Sequence, residues 1–177
     1  VASISTFPYF ETFDNPGGAL PANWIQQVDD SGQDWLFDNA GTPSTNTGPP
    51  VDHTFGTAAG YYAYVEDSGF ENDSVTLITP CFDVSAMNAP EFSFWYHSNN
   101  ADGPAAASEN EMHIDLLYNG TITYDFIPAI VHKDNNWNEV VIDMSNFIGV
   151  FAIRFRVNNA NADFTHDIAI DDVGVKD

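Results

Sequence analysis

The sequence has very few basic residues. Its four are Lys133, Arg154, Arg156 and Lys176; they stand against 26 Asp and Glu, and the formal net charge is −22. So few cations cannot neutralise a phosphate backbone, which argues against nucleic acid as a partner. An anionic membrane surface is disfavoured for the same reason. The acidity fits cation binding or a salty medium that screens self-repulsion, and it also fits the simple need of a secreted protein for solubility.

Cysteine is also nearly absent, since Cys81 is the only one. It cannot form an internal disulfide, and its apolar neighbours predict a buried thiol. A nucleophilic role is disfavoured because no basic residue adjoins it to lower its pKa. No apolar run reaches transmembrane length, so we expect no direct membrane insertion. Val1 is not an initiator Met, and we therefore expect a mature product or an excised fragment.

Recognisable catalytic motifs are missing as well. The five His residues form no H-E-x-x-H spacing, and there is neither a G-x-S-x-G elbow nor a phosphate-binding Gly loop. Carboxylates are so numerous that any pair chosen as a glycosidase site would be weak evidence. The sequence therefore predicts a protein that is not an enzyme.

What the sequence does contain is strand periodicity. Turn-forming residues fill the first 60 positions, and alternation of apolar and polar residues dominates after them. Phe92, Phe94 and Tyr96 would share one face of a strand. Ser93, Trp95 and His97 would share the other. The predicted strands cover residues 61–66, 74–78, 91–97, 111–118, 121–126, 139–143, 150–157 and 166–175.

The predicted architecture is all-β. Eight or more short strands separated by turns, with no helical period, favour a jelly-roll β-sandwich of two antiparallel sheets. A length of 177 residues, with 44% hydrophobic and 14% aromatic residues, suits one domain that spans residues 1–177. The polar segment 99–110 would be a long loop, either functional or a tolerated insertion.

Calcium is the chemistry that the acidic residues best support. Asp171 and Asp172 interrupt an apolar final strand, where buried charge is costly unless it is compensated. The first and last strands of a sandwich often pair, which would bring Glu11 close to them. We predict one structural Ca²⁺ with Glu11, Asp29, Asp52, Asp171 and Asp172 as ligands, because calcium prefers six to eight oxygens. Sodium remains an alternative ion, and a solvated acidic turn is the alternative for the segment around Asp29.

Several segments together resemble the MAM domain of meprin-type proteases, neuropilin-like receptors and receptor tyrosine phosphatases. The similarity runs from about Phe10 to Val175, and its order and spacing make it specific. The matching pieces are Phe10-Glu11, Trp24, Asp34-Trp35, Thr47-Gly48-Pro49, Asp52-His53-Thr54, Gly60-Tyr61-Tyr62, residues 77–82, residues 92–97 and residues 167–173.

The front of the chain is also similar to cleaved-adhesin domains of secreted bacterial proteases. The aromatic-acid start, Pro21-Ala22-Asn23-Trp24 and the Asp/Gly turn before Trp35 carry this resemblance. Both families imply a jelly-roll sandwich with a cation site near the chain ends. Both also imply binding or adhesion rather than catalysis.

The resemblance has one departure, because animal MAM domains usually carry four disulfide-bonded cysteines and only Cys81 matches here. Together with the acidity, this points to a secreted protein of a marine bacterium. We expect an adhesion or binding module of a larger secreted or cell-surface protein, with a protein or a polysaccharide as its ligand. The alternative is a carbohydrate-binding module of a polysaccharide-degrading enzyme, with Trp95 and His97 either on a sugar platform or facing the second sheet. The sequence leaves the ligand and the oligomeric state open.

Overall fold

The computed structural model describes residues 3–15, 17–27, 33–69, 74–104, 109–159 and 163–177. These residues form twelve β-strands and no helix, so none of them belongs to a helix that could cross a membrane. The strands are β1 (Tyr9–Glu11), β2 (Ile25–Gln27), β3 (Leu36–Asp38), β4 (Tyr62–Val65), β5 (Ser74–Ile78), β6 (Phe82–Asp83), β7 (Glu91–Ser98), β8 (Glu111–Tyr118), β9 (Thr121–Thr123), β10 (Asp134–Asp143), β11 (Val150–Asn158) and β12 (Ile168–Lys176).

Two six-stranded sheets make up the domain. The first sheet has the order β10-β7-β12-β4-β3, and β1 also pairs with β12. The second sheet has the order β2-β5-β11-β8-β9, and β6 also pairs with β11. Every ladder between these strands is antiparallel. The predicted sandwich of two antiparallel sheets is therefore confirmed.

Aromatic side chains from both sheets fill the space between them. Phe92 and Phe94 of β7 are fully buried, as is Phe155 of β11 on the facing sheet. The rings of Phe94 and Phe155 meet edge to face with centroids 5.0 Å apart, a favoured arrangement for aromatic pairs. The predicted alternation in β7, β8 and β11 is confirmed, since their inward positions are the apolar ones.

The position of Cys81 differs from the prediction of a buried thiol. The residue is half-buried, and it lines a cavity of about 280 Å³ together with Leu117 and Phe151. The pleat explains the difference, because the neighbouring Phe82 occupies the inward position with no exposed surface. Cys81 therefore lies on the outer side of the second sheet.

Candidate functional site

The last strand contains an irregularity at its two acidic residues. The first half of β12 pairs with β4, and its second half pairs with β1, so that Glu11 lies opposite Val173. Against β7, the register shifts between Asp171 and Gly174, and Asp172 adopts a left-handed backbone with φ of 47°. This β-bulge adds a residue between two inward positions and keeps both acids out of the apolar core. Asp171 and Asp172 thus lie at the junction of β1, β4 and β12.

Asp171 is completely buried at this junction. Its Oδ2 accepts a hydrogen bond from the backbone N of His53 at 2.8 Å, and its Oδ1 accepts one from the N of Asp172 at 2.8 Å. Burial, and next the charge of Asp172, raise the pKa of Asp171 to about 8. The carboxyl group would be protonated at neutral pH unless a cation lay beside it.

Asp172 connects the same junction to the long loop 39–61. Its Oδ2 lies 2.5 Å from Nδ1 of His53, and its Oδ1 accepts a hydrogen bond from Oγ1 of Thr54 at 2.7 Å. The imidazole of His53 stacks on the indole of Trp95 with centroids 3.8 Å apart. The loop is therefore fixed onto the first sheet by its contact with the bulge.

A second group of carboxylates surrounds the start of β4. The Oδ1 of Asp14 accepts a hydrogen bond from the N of Tyr61 at 2.8 Å. Asp52 is 1% exposed, and its Oδ2 accepts a hydrogen bond from the N of Phe55 at 2.7 Å. A Cβ atom built on Gly60 would lie 2.1 Å from Oδ2 of Asp52 and 2.8 Å from Oδ1 of Asp14. Both carboxylates therefore approach the backbone at Gly60, where only glycine leaves room for them.

Glu11 extends this second group from β1. Its Oε1 accepts a hydrogen bond from the N of Phe13 at 2.9 Å. Burial raises the pKa of Glu11, and the nearby charge of Asp14 adds to that effect. β1 contributes Glu11, and the segment that follows the strand contributes Asp14, to this end of the first sheet.

The predicted metal ligands fall into these two groups. Asp52 belongs to the group near Gly60, and Glu11 is linked to that group through the charge of Asp14. Asp171 and Asp172 instead accept hydrogen bonds from His53 and Thr54. Asp29 lies outside the described residues. Within the described part of the chain, no three His, Cys, Asp or Glu side chains are arranged as a ready-made metal site. The calcium site stays a prediction.

The other end of β4 leads into a buried polar network. Asp67 has no exposed surface, and its Oδ1 accepts a hydrogen bond from Nδ2 of Asn110 at 2.8 Å. Burial, and next a hydrogen bond with Asp163, raise the pKa of Asp67 to about 7. His166 is also fully buried, and burial lowers its pKa to about 3. Its Nδ1 accepts a hydrogen bond from the N of Asn110 at 2.8 Å. The network therefore favours uncharged forms of both titratable groups.

Trp95 and His97 lie on the outer face of the first sheet rather than toward the second sheet. His97 has no exposed surface, and Trp95 is covered in part by the stacked ring of His53. The indole of Trp137 donates a hydrogen bond from Nε1 to the carbonyl oxygen of Val51 at 3.1 Å. The loop 39–61 thus covers this aromatic face, and Trp95 does not form an open sugar platform.

The outer face of the second sheet carries both arginines of the chain. Arg154 and Arg156 lie on β11 opposite Asp115 and His113 of β8. Asp115 is completely buried, and its Oδ2 accepts hydrogen bonds from Nε of Arg156 at 3.0 Å and Nη1 of Arg154 at 3.4 Å. Its Oδ1 accepts a further one from Nη2 of Arg156 at 3.2 Å. One carboxylate therefore fixes both guanidinium groups against the sheet.

An exposed tyrosine lies over this pair of arginines. The ring centre of Tyr124 is 5.8 Å from the guanidinium carbon of Arg154 and 5.7 Å from that of Arg156. Tyr124 is nevertheless 61% exposed. The neighbouring Asp125 holds the turn, since its N donates to Oδ1 of Asp115 at 3.1 Å and its Oδ1 lies 2.5 Å from Nδ1 of His113. This cluster was not predicted from the sequence.

A comparison with protein families assigns the chain. The family model described as MAM domain, meprin/A5/mu, matches residues 10–177. The chain belongs to the MAM domain family. Neuropilin-1a of Danio rerio is 30% identical over 193 residues, an alignment that includes all of this chain. The chain spans only 19% of that relative's length.

Solved structures show the same fold as this MAM domain. The K1 cleaved adhesin domain of Lys-gingipain from Porphyromonas gingivalis W83 has a TM-score of 0.59 and 20% identity, and covers 97% of this chain and 98% of its own. TmCBM61, solved in complex with β-1,4-galactotriose, has a TM-score of 0.56 and 15% identity, and covers 93% of this chain and 97% of its own. Both resemblances suggested by the sequence are therefore confirmed at the level of fold, and the MAM resemblance at the level of family.

Proposed function

We propose that this MAM domain is a non-catalytic binding module that acts outside the cell as part of a larger protein. The observation that carries the proposal is the family match over residues 10–177, which includes nearly all of the fold. A relative in which the matching region is about a fifth of the length supports a modular role. The ligand is an extracellular protein or a polysaccharide.

The similar solved structures support binding rather than catalysis. One is named an adhesin domain, and the other holds an oligosaccharide. A sandwich of this fold has two broad outer faces and several loops at its ends. Proteins that share a fold place their different binding sites on such surfaces.

A direct test presents the domain on beads. Bead aggregation would indicate self-adhesion, and retention of beads on insoluble polysaccharides or on cell surfaces would indicate another ligand. The proposal predicts saturable binding that soluble domain competes away. Hydrolysis of peptides or glycans that persists through repurification, without saturable binding, would overturn it.

Structural calcium forms the second part of the proposal. A cation at the junction would be held by Glu11, Asp52 and either Asp171 or Asp172, with Asp29 as a further candidate. Backbone carbonyls of residues 61 or 173 would complete the set of oxygen ligands. Support comes from the burial of Asp52 and Asp171, and from the single loop that contacts both carboxylate groups. A divalent ion would convert the repulsion among these acids into attraction.

The calcium proposal predicts a stability effect. Calcium at a hundredfold excess over its dissociation constant should raise the unfolding free energy of chelator-treated protein by about 2.7 kcal/mol. Glu11→Gln, Asp52→Asn and Asp171→Asn should each remove most of the calcium-dependent rise in melting temperature. Glu139→Gln, at an exposed acid on β10, is the matched control and should keep it.

Sodium is tested in the same experiment by replacing calcium chloride with sodium chloride of equal ionic strength. An equal rise with both salts would indicate screening or a sodium site rather than calcium. A wild type without any calcium-specific rise would overturn the calcium proposal, and it would leave the binding function untouched.

A carbohydrate-binding role is the second candidate function. The observation that favours it is the open aromatic ring of Tyr124 above a fixed polar cluster. An aromatic surface with a few oriented polar groups is a common composition for a small-molecule site.

A further inference from the structure

We propose that the outer face of the second sheet binds a neutral polysaccharide, with the ring of Tyr124 as the platform on which a sugar ring stacks. The inference rests on the proposed binding function and specifies its ligand class and its site. It is carried by three features of this face: a supported aromatic ring, cross-strand rows of polar side chains, and internally neutralised charge.

The aromatic ring is held in place before any ligand arrives. Two guanidinium groups lie within 5.8 Å of its centre, and the turn beside it is fixed by Asp115 and His113 through Asp125. A ring that is 61% exposed and already oriented loses little conformational entropy when a ligand stacks on it. The negative face of an aromatic ring attracts the weakly positive C–H groups on the flat face of a pyranose.

Polar side chains extend from this platform across the sheet. One row crosses four neighbouring strands, β2, β5, β11 and β8, and each of its residues is paired with the next: Gln27, Thr76, Arg156 and His113. Four adjacent strands span about 14 Å at the usual strand spacing. Gln27 is exposed, and its amide can both donate and accept hydrogen bonds, as sugar hydroxyls require. Thr76 is buried and both ring nitrogens of His113 already have partners, so these two residues form the floor of the face. A row of that length suits an extended chain better than a single monosaccharide.

The charges of the face favour an uncharged ligand. Asp115 accepts hydrogen bonds from both guanidinium groups, and Asp125, whose Oδ1 is 3.6 Å from Nη2 of Arg156, supplies the second negative charge that balances them. Glu111 lies 3.3 Å from Nε2 of His113 and adds another acid. The whole chain carries a formal charge of −22, so an acidic polysaccharide would be repelled.

The opposite face of the sandwich does not offer an equivalent surface. Its aromatic side chains are covered by the loop 39–61, through the His53–Trp95 stack and the hydrogen bond from Trp137 to Val51. Tyr62 is fully buried there, and its hydroxyl group donates to the carbonyl oxygen of Ala40. Among the described aromatics with large exposed surfaces, Tyr124 is the one with two arginines beneath it.

The test uses native affinity electrophoresis in gels that contain β-1,4-galactan, xylan, laminarin or, as an anionic comparison, alginate. Titration calorimetry then measures the dissociation constant for the neutral polysaccharide that retards the protein most. Four variants are compared with wild type: Tyr124→Ala, Tyr124→Leu, Tyr124→Phe and, as control, Phe164→Ala. Phe164 is 66% exposed and lies outside this face, in the connection between β11 and β12.

The expected result is retardation by at least one neutral polysaccharide and none by alginate. Tyr124→Ala and Tyr124→Leu should weaken binding by at least about tenfold, as truncation of a central aromatic contact often does. Phe164→Ala should bind like wild type, and Tyr124→Phe should restore most of the affinity lost in Tyr124→Ala, because its ring can still stack on a sugar. The leucine side chain of Tyr124→Leu should still cover the arginines but cannot stack on a sugar as an aromatic ring does. If this variant loses binding and keeps the melting temperature of the wild type, Tyr124 acts by stacking rather than by supporting the fold.

Three results would overturn the inference. Unchanged polysaccharide binding in the folded Tyr124→Leu variant would place the site elsewhere and leave the proposed binding function intact. Retardation by alginate alone would refute the neutral ligand. No retardation of wild type by any neutral polysaccharide would refute the ligand class, while the bead assay would still decide separately whether the domain is a binding module.

Discussion

The buried Asp67 makes the stability of this domain depend on pH in a predictable direction. Its pKa is raised from 3.8 to about 7 by burial and by Asp163. Between these two values, the folded state holds a proton that the unfolded chain has lost. The free energy of unfolding must therefore fall as pH rises through this range. From pH 5 to pH 8, this one group should lower it by about 2.7 kcal/mol.

His166 opposes this trend. Burial lowers its pKa from 6.5 to about 3, so the unfolded chain binds the extra proton below pH 6.5. Its contribution to stability is present above pH 6.5 and is lost as pH falls. From pH 5 to pH 8, it should raise the free energy of unfolding by about 2 kcal/mol. These two effects oppose each other, and burial also raises the pKa values of Asp167 and Asp171, which adds to the pH dependence of the wild type; the wild type alone therefore cannot reveal the effect of Asp67.

Asp67→Asn isolates the first effect. An amide keeps the shape of the protonated carboxyl group, and it can still accept from Asn110, which donates at 2.8 Å to Oδ1 of Asp67. Urea denaturation at pH 5 and pH 8 would give the unfolding free energies of both proteins. Between pH 5 and pH 8, the unfolding free energy of the wild type should fall by roughly 2 to 3 kcal/mol more than that of Asp67→Asn.

Asp143→Asn is a suitable control for this measurement. Hydrogen bonds from Ser145 lower the pKa of Asp143, so its linkage effect lies below pH 5. Its difference from wild type should be equal at pH 5 and pH 8. If Asp67→Asn behaves in the same way, Asp67 does not hold a proton in the folded state and the reasoning fails.

Two further predictions concern charge and the acid cluster. Because the net charge is −22, salt should screen repulsion within the folded protein, and chelator-treated wild type should melt at a higher temperature in 0.5 M than in 10 mM sodium chloride. Each kcal/mol of relieved repulsion should raise the melting temperature by about 2–4 °C. An equal or lower melting temperature in 0.5 M salt would contradict this prediction. Gly60→Ala places a Cβ 2.1 Å from Oδ2 of Asp52, so it should lower the unfolding free energy by about 1–3 kcal/mol and abolish the calcium-dependent rise in melting temperature. Gly41→Ala is the control and should keep that rise, because a Cβ there meets no atom within 4 Å and the backbone is not left-handed.

The sequence predicted most strands because alternation records which face is buried. The limits of β5 and β8 agree with the predicted ranges, and those of β7 and β11 differ by a single residue. The short strands β1, β2, β3 and β6 were not among the predicted ranges, and among the predicted strands the limits were least accurate for β10, which begins at Asp134 rather than at residue 139. Its start is polar because Asn135 and Asn138 bond to other side chains, and the register shifts between Asp134 and Asn138. A period-two pattern cannot reveal a strand that includes such an irregularity.

The candidate sites were harder to predict because they depend on contacts between distant segments. The acids of the final strand could be recognised as costly, and the structure pairs β1 with β12. Their attachment to His53 and Thr54 depends on a loop more than 110 residues earlier. Tyr124 gave no signal, because its support comes from Arg154 and Arg156 on a strand that begins 26 residues later. The outward-facing polar residues of two strands, His113 and Asp115 on β8 and the arginines on β11, were the features that could have indicated a polar cluster there.

The two outer faces of the sandwich have separate roles on physical grounds. The first face is closed by the loop 39–61, which the buried Asp171 and the bulged Asp172 hold in place. Buried acids of this kind are stabilised by a proton or a cation, so we expect the stability of this end of the domain to depend on pH and, if the calcium proposal holds, on metal ions. On the second face, Asp115 and Asp125 balance the charges of the two arginines, and Tyr124 is open to solvent. The proposed ligand on that face would contact neither the loop 39–61 nor the proposed cation site, so we expect stability and binding to vary independently in this domain.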